Sequence, residues 1–269
     1  MPDKSINIRG VEWQYVTGGR GEQTLLIFHG AVGGAETMRG LAHAFEDEYR
    51  TITPTVADVS TLTEVCDAAS AILDREHVGR AVLFGGSFGG LLAQAFFHRR
   101  REQVQDLILL STNAPNPAAG ARSARSNAFM RLLPFPLLRA LMRLNQSFEE
   151  NLTKRTLLSR VALSVNFNRN ERYAPEDSAG WPGRVLVVES DDDPTLPPEE
   201  RRRLRETYPR AFVCTLPGAA HMTLPLRLEE LVGLVKAFLK DDYSTPAEIF
   251  AECSTAEGHD HLPHGEVNP

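Results

Sequence analysis

Residues 80–94, RAVLFGGSFGGLLAQ, run an apolar strand-like segment into a helical pattern with only a glycine-rich turn between them. The strand part, residues 81–84, stops at Gly85 and Gly86. Ser87 stands at the apex, and Gly89 and Gly90 lead into the helix. A chain turns this sharply only where its neighbours are small, and Gly85-Gly86-Ser87-Phe88-Gly89 satisfies the pattern G-x-S-x-G, which projects a serine hydroxyl above a sheet. The stretch therefore demands a buried strand followed directly by a packed helix, and it makes Ser87 a candidate nucleophile. Such a serine needs a base, an acid to orient that base, and donors for an oxyanion.

The strand-then-helix rhythm recurs along the chain. Residues 24–28 (TLLIF), 105–111 (QDLILLS) and 184–189 (RVLVVE) are apolar runs of the kind that suits strands covered on both faces of a parallel sheet. Residues 11–17 alternate between faces, and residues 50–53 and 210–216 are further strand candidates. Gly18-Gly19-Arg20-Gly21 marks a hairpin or a tight loop. Residues 36–49, 64–77, 198–208 and 226–240 read as helices, and residues 58–61 (DVST) form a capping region before the second of them. This alternation implies right-handed crossovers and an α/β fold with an open, mostly parallel, doubly wound sheet.

After residue 112 the rhythm breaks. Residues 113–120 are loop-like, residues 122–150 read as two amphipathic helical pieces divided near Pro134 and Pro136, and residues 157–167 form a further helix. Leu132, Leu133, Phe135, Leu137, Leu138, Leu141 and Met142 supply an apolar side. Arg122, Arg125, Arg131, Arg139 and Arg143 meet no acid before Glu149. This is the pattern of a helical lid or packed insertion over a pocket rather than a membrane-surface helix, and an apolar lid suggests an uncharged or acyl-bearing ligand. The expected organisation is a core of residues 1–112 and 183–240, a helical cap of residues 113–182, and a disordered tail of residues 241–269, which lacks periodicity.

With 269 residues, 42% of them hydrophobic, the chain has material for a large buried core. A net charge of −6 speaks against a basic surface for nucleic acid and favours a small-molecule or protein partner. The start, MPDKSINIRG, has no apolar h-region and no stretch approaches eighteen apolar residues, so no stable membrane insertion and a cytoplasmic location are expected. The widely spaced Cys66, Cys214 and Cys253 match neither a disulfide framework nor a zinc site and read as inert thiols. His259, His261 and His264 lack an acid or cysteine constellation, so neither a metal nor a cofactor is expected. Oligomeric state carries no signal.

The base is sought at a loop on the carboxyl edge of the sheet. His221, in Pro217-Gly218-Ala219-Ala220-His221, follows the last expected strand and precedes the final helix, whereas His43, His77 and His98 sit on helical segments as surface or packing residues. The orienting acid belongs between serine and histidine in chain order, at a strand end, where Asp191-Asp192-Asp193-Pro194 stands. Three successive carboxylates cannot all point inward, so one faces the histidine and the others cap the turn or helix in solvent. Spacing leaves open which. The N–H of Phe88, at a helix N-terminus, and that of Ala31, in the turn His29-Gly30-Ala31-Val32-Gly33-Gly34, are the candidate oxyanion donors, with His29 bracing that turn.

Together, His29-Gly30, Gly85-Gly86-Ser87-Phe88-Gly89-Gly90, Asp193-Pro194-Thr195-Leu196-Pro197 and Gly218-Ala219-Ala220-His221 resemble the α/β-hydrolase superfamily over residues 11–240. The resemblance implies Ser87 as nucleophile, His221 as base and a helical cap after the sixth strand. It selects Asp193 as the acid, because the family's D-x-x-x-P segment carries it. The implied activity is a cofactor-free, carboxylesterase-like serine hydrolase acting on a small ester or related acyl substrate, or a C–C bond hydrolase using the same triad. The LLAQ after Ser87, residues 106–111 with their Asn-containing exit, and Tyr208-Pro209-Arg210-Ala211 are more loosely similar to maspardin-like proteins, which implies a non-catalytic binding or adaptor protein as the alternative. The loop His29-Gly30-Ala31-Val32-Gly33 departs from the His-Gly-Gly-Pro-Gly of prolyl aminopeptidases, and a serine at the elbow argues against dehalogenation and epoxide hydrolysis.

Overall fold

The computed structural model describes residues 3–143, 151–221, 227–240 and 253–255, of which 141–143 and 253–255 are described by their backbone alone. At one edge of the sheet, β1 (Asp3–Ile8) and β2 (Val11–Gly18) form an antiparallel hairpin. The sequence reading missed β1, whose side chains alternate between half-buried and exposed and therefore lack an apolar run. Its turn is legible afterwards: Arg9 and Gly10 both have positive φ, as a two-residue hairpin turn requires. Six parallel strands follow: β3 (Thr24–Phe28), β4 (Arg50–Pro54), β5 (Ala81–Gly86), β6 (Val104–Leu110), β7 (Val185–Glu189) and β8 (Phe212–Thr215). β9 (Cys253–Thr255) lies antiparallel on β8, and the spatial order among the described residues is β1-β2-β4-β3-β5-β6-β7-β8-β9. Gly18 ends β2 and residues 19–21 are a loop, not a hairpin turn, since β2 pairs with β4. There Gly19 adopts φ 70, and a Cβ on it would collide with the Tyr49 carbonyl.

The central strands are buried on both faces, and their two-residue period sorts side chains into two cores. Leu26, Phe28, Leu83, Leu107, Leu109 and Val187 pack with α2 (Leu62–Arg75), α3 (Phe88–Arg99) and α7 (Pro198–Thr207). Leu25, Ile27, Val82, Phe84, Ile108 and Val188 pack with α1 (Arg39–Phe45) and α8 (Leu228–Lys240). Helices on both faces make the sheet doubly wound, as expected. α2 opens with Thr61 accepting from the Glu64 N–H while Glu64 accepts from Thr61, the reciprocal cap expected at residues 58–61. Helix α2 ends at Arg75, so His77 lies beyond it with φ 57 rather than on the helix. A buried ion cluster ties the hairpin edge to this helix: Glu76 accepts from Lys4, Tyr15 and Arg50 at 2.8, 2.8 and 2.5 Å.

The segment expected as a cap holds α4 (Pro117–Leu132), α5 (Phe135–Arg143) and α6 (Lys154–Asn170). α4 starts inside the expected loop of residues 113–120. Asn116 accepts from the Ala118 N–H and Pro117 takes the first helical position, so the Asn-Pro pair starts a helix and does not continue the loop. The expected break between the two pieces falls where α4 ends, at Leu132. Several apolar cap residues face outward, with Phe129 61% and Leu132 83% exposed. Residues 144–150 of the expected cap helix lie outside the described residues.

Two expectations for the cysteines and the tail are corrected. Three residues of the supposedly disordered tail form β9, and its Cys253 stands opposite Cys214 in the strand register. Cys214 is disulfide-bonded, whereas Cys66 is a buried free thiol. Widely spaced cysteines conceal such pairing because sheet order, not sequence distance, brings strands together. His259, His261 and His264 lie outside the described residues. Among the described residues no helix is long and apolar enough to cross a membrane.

Candidate active site

β5, the turn and α3 form as the sequence demands. Ser87 sits between strand and helix at φ 51, ψ −118, a strained conformation for a residue with a side chain. Neighbouring backbone holds it there: the Ser87 N–H donates to the Leu110 carbonyl at 2.9 Å, and the Thr112 hydroxyl donates to the Ser87 carbonyl at 2.8 Å. The glycines are there for clearance. A Cβ at Gly85 would collide with the Gly89 carbonyl, and one at Gly89 would collide with the Phe28 carbonyl. The close approach at Gly89 brings the N-terminus of α3 against the end of β3, so that Phe88 and Ala31 line the same pocket as Ser87 and His221.

Ser87 Oγ lies 2.9 Å from His221 Nε2, and His221 Nδ1 lies 2.7 Å from Asp193 Oδ2. An ionised carboxylate only accepts, so Nδ1 carries the imidazole proton and Nε2 accepts from the serine hydroxyl. Asp193 is 6% exposed. Its other oxygen accepts from the Thr195 N–H, the Thr195 hydroxyl and the Leu196 N–H at 2.8, 2.6 and 3.2 Å. Burial pushes this carboxyl up, but the hydrogen bonds from His221 and Thr195 outweigh it and hold the group below the usual carboxylate range.

The neighbouring acids do not merely face solvent. Asp192 accepts from the Ser190 hydroxyl at 2.6 Å and from the Ala220 N–H at 2.8 Å, and Asp191 accepts from the Gly218 N–H at 3.2 Å. Led by the Ser190 hydrogen bond, these contacts hold the Asp192 carboxyl below its ordinary range. One carboxylate orients the imidazole while the two before it anchor the loop that carries it.

His29 is completely buried and braces its turn: Nδ1–H donates to the Gly30 carbonyl at 2.7 Å and Nε2 accepts from the Val56 N–H at 2.9 Å. Burial, reinforced by the nearby Arg160 cation, depresses its pKa to about 3, so it is neutral, and with both nitrogens engaged it does not compete as the base. Arg160, on the buried face of α6, is also fully buried. Its guanidinium donates to the carbonyls of Ala31, Gly33 and Val56 at 3.2, 2.6 and 3.0 Å. The cap thereby grips the turn that carries the Ala31 N–H.

The sequence reading missed this residue, and it missed Glu200 of α7, which lines the pocket and is 2% exposed. One signal was present for both. Arg160 falls on the stripe of Leu157, Leu163 and Phe167, and Glu200 on the stripe of Leu204 and Thr207, so each is a charge on a buried helical face. Of the five cap arginines read as lacking acids, Arg122 pairs with Glu200 at 2.7 Å. His43 is an exposed partner of Glu46, and His98 stacks on Tyr173 with centroids 3.5 Å apart, so both are surface or packing residues as expected.

The pocket over these residues has a volume of about 350 Å3. A family model described as "Alpha/beta hydrolase family" matches residues 25–234. No curated protein sequence matches the chain. Among solved structures, a hydrolase from Pseudomonas aeruginosa PA01 is 18% identical with TM-score 0.73, over 88% of this chain and 98% of that one. A thermophilic esterase from Thermogutta terrifontis is 21% identical with TM-score 0.71, over 90% and 100%. A meta-cleavage product hydrolase from Pseudomonas fluorescens IP01 is 21% identical with TM-score 0.66, over 88% and 97%. The looser similarity to maspardin-like proteins gains no support from these relatives.

Proposed function

We propose that this chain, which belongs to the alpha/beta hydrolase family, is a serine hydrolase that cleaves a small carboxylic ester or related acyl substrate at Ser87. The observation that carries the reading is the continuous chain of contacts from Asp193 through His221 to Ser87, at 2.7 and 2.9 Å. His221 Nε2 takes the hydroxyl proton as Oγ attacks the carbonyl carbon, and Asp193 stabilises the imidazolium that forms. The negative charge that develops on the carbonyl oxygen is held by the N–H groups of Ala31 and Phe88, each worth about 2.7–4 kcal/mol in comparable sites. Collapse of the tetrahedral species expels the alcohol, which receives its proton from Nε2. Water then attacks the acyl carbon while giving a proton to the same nitrogen, and the acyl–Oγ bond breaks as Nε2 returns that proton to Ser87 Oγ, releasing the acid.

The test is covalent. A fluorophosphonate probe labels the wild-type protein and fails to label Ser87→Ala. A folded wild-type protein that resists the probe would sink the reading and move the weight to a binding or adaptor role. Short p-nitrophenyl esters give the turnover, with His221→Ala as control. The same triad also serves C–C bond hydrolysis, so product analysis on esters beside β-diketones fixes the bond that is cleaved.

A further inference from the structure

The pocket over Ser87 is lined in larger part by apolar surface, Phe88, Leu91, Ala119 and Leu196 among it, with polar side chains set into its helical wall. α4 contributes Arg122, Ser123 and Ser126, α6 contributes Ser164 and Asn168, and α7 contributes Glu200. Glu200 is the unusual member. Its Oε1 accepts from Asn116 Nδ2 at 2.8 Å and from the Arg122 guanidinium at 2.7 Å. Its Oε2 is closed off from solvent and has no hydrogen-bond partner. Buried acceptors are nearly always paired, and an ionised oxygen left without a donor is destabilising. The strap from α4 to α7 is complete through Oε1 alone, so the arrangement of the cap does not account for Oε2. Arg122 holds Oε1 through a side chain that is 49% exposed.

We propose that Glu200 Oε2 is the acceptor of a substrate-recognition subsite, completed by a neutral hydrogen-bond donor, a hydroxyl or amide N–H, on the part of the substrate remote from the scissile carbonyl. Arg122 decides for a neutral donor: it already balances the carboxylate, and a ligand ammonium would meet the guanidinium at the same group. The serine hydroxyls of α4 and α6 suit the remaining lone pairs and protons of a hydroxylated ligand. The subsite rests on the reading of Ser87 as nucleophile.

Two matched ester pairs test it. Pentyl acetate and 4-hydroxybutyl acetate differ by a terminal methyl against a hydroxyl on the alcohol side, and ethyl heptanoate and ethyl 6-hydroxyhexanoate differ likewise on the acyl side. Wild-type kcat/KM favours the hydroxyl member of at least one pair by about tenfold or more. In Glu200→Gln that ratio falls towards one, because the carboxamide can present a donor where Oε2 accepts. The same ratio in both proteins, or a wild-type preference for the alkyl members of both pairs, overturns the subsite. A second readout needs no variant: butane-1,4-diol slows fluorophosphonate labelling of Ser87 at lower concentration than pentan-1-ol, and the reverse order overturns the proposal. Absence of labelling in wild type instead refutes the nucleophile itself, so the two failures are told apart.

Discussion

At the level of single residues, the site depends on which nitrogen of His29 and of His221 carries the proton, and the partners decide it. Asp193 makes His221 Nε2 an acceptor, so Asp193→Asn, whose amide can donate to the ring and favour the wrong tautomer, is expected to lower kcat on p-nitrophenyl acetate about 10⁴-fold with little change in fold by circular dichroism. Arg160 is a buried cation whose visible partners are backbone carbonyls on the turn after β3 and the segment after β4. Arg160→Met would leave those carbonyls unsatisfied. A loss of about 3 kcal/mol in urea unfolding is expected, together with a fall in kcat larger than the change in KM, since the Ala31 N–H belongs to the gripped turn. Equal urea midpoints for wild type and variant would show that the guanidinium braces nothing. Ser87, His221 and Phe88 were legible because a local pattern or a place in chain order marks each. Arg160 and Glu200 were not, because which face of a helix is buried depends on what packs against it.

At the level of elements, the elbow is a contact between backbones rather than between side chains. Gly89→Ala places a Cβ against the Phe28 carbonyl and forces α3 away from β3. Destabilisation of about 2–3 kcal/mol is expected, with slower fluorophosphonate labelling in whatever folds, because the N-terminus of α3 and the Ala31 turn no longer meet. The cap shows the limit of reading amphipathic patterns. Its helices were expected from spacing and they form, yet Phe129 and Leu132 face solvent while serines face the pocket. Periodicity says that a helix has two faces. Only packing says which one points inward.

For the whole molecule, acid stability follows from two histidines that burial keeps neutral. Burial lowers His29 to about 3 and His98 to about 4, in each case with nearby charges as the smaller influence. The unfolded chain takes up these protons near the ordinary histidine value of about 6.5 and the folded chain does not, so stability is full above that pH and is lost as pH falls towards 4 and then 3. Asp193, also held below its ordinary range, extends the loss to lower pH as it takes up a proton. The urea midpoint is expected to fall steadily from pH 7 to pH 4.5, and a flat midpoint over that range would contradict the burial of both rings. The sequence by itself determined the alternation of strands and helices, the elbow, and the chain order of Ser87, the aspartate run of residues 191–193 and His221, because these follow from local sterics and from hydrophobic period, while the choice of Asp193 within that run came with the family resemblance. Tertiary structure alone decided the roles of Asp191 and Asp192 in anchoring the histidine loop, the bracing by Arg160, the polar side chains set into the pocket wall and the disulfide bond at Cys214. Each of these depends on groups far apart in the chain meeting at one point, and nothing in local spacing encodes where two remote segments will touch.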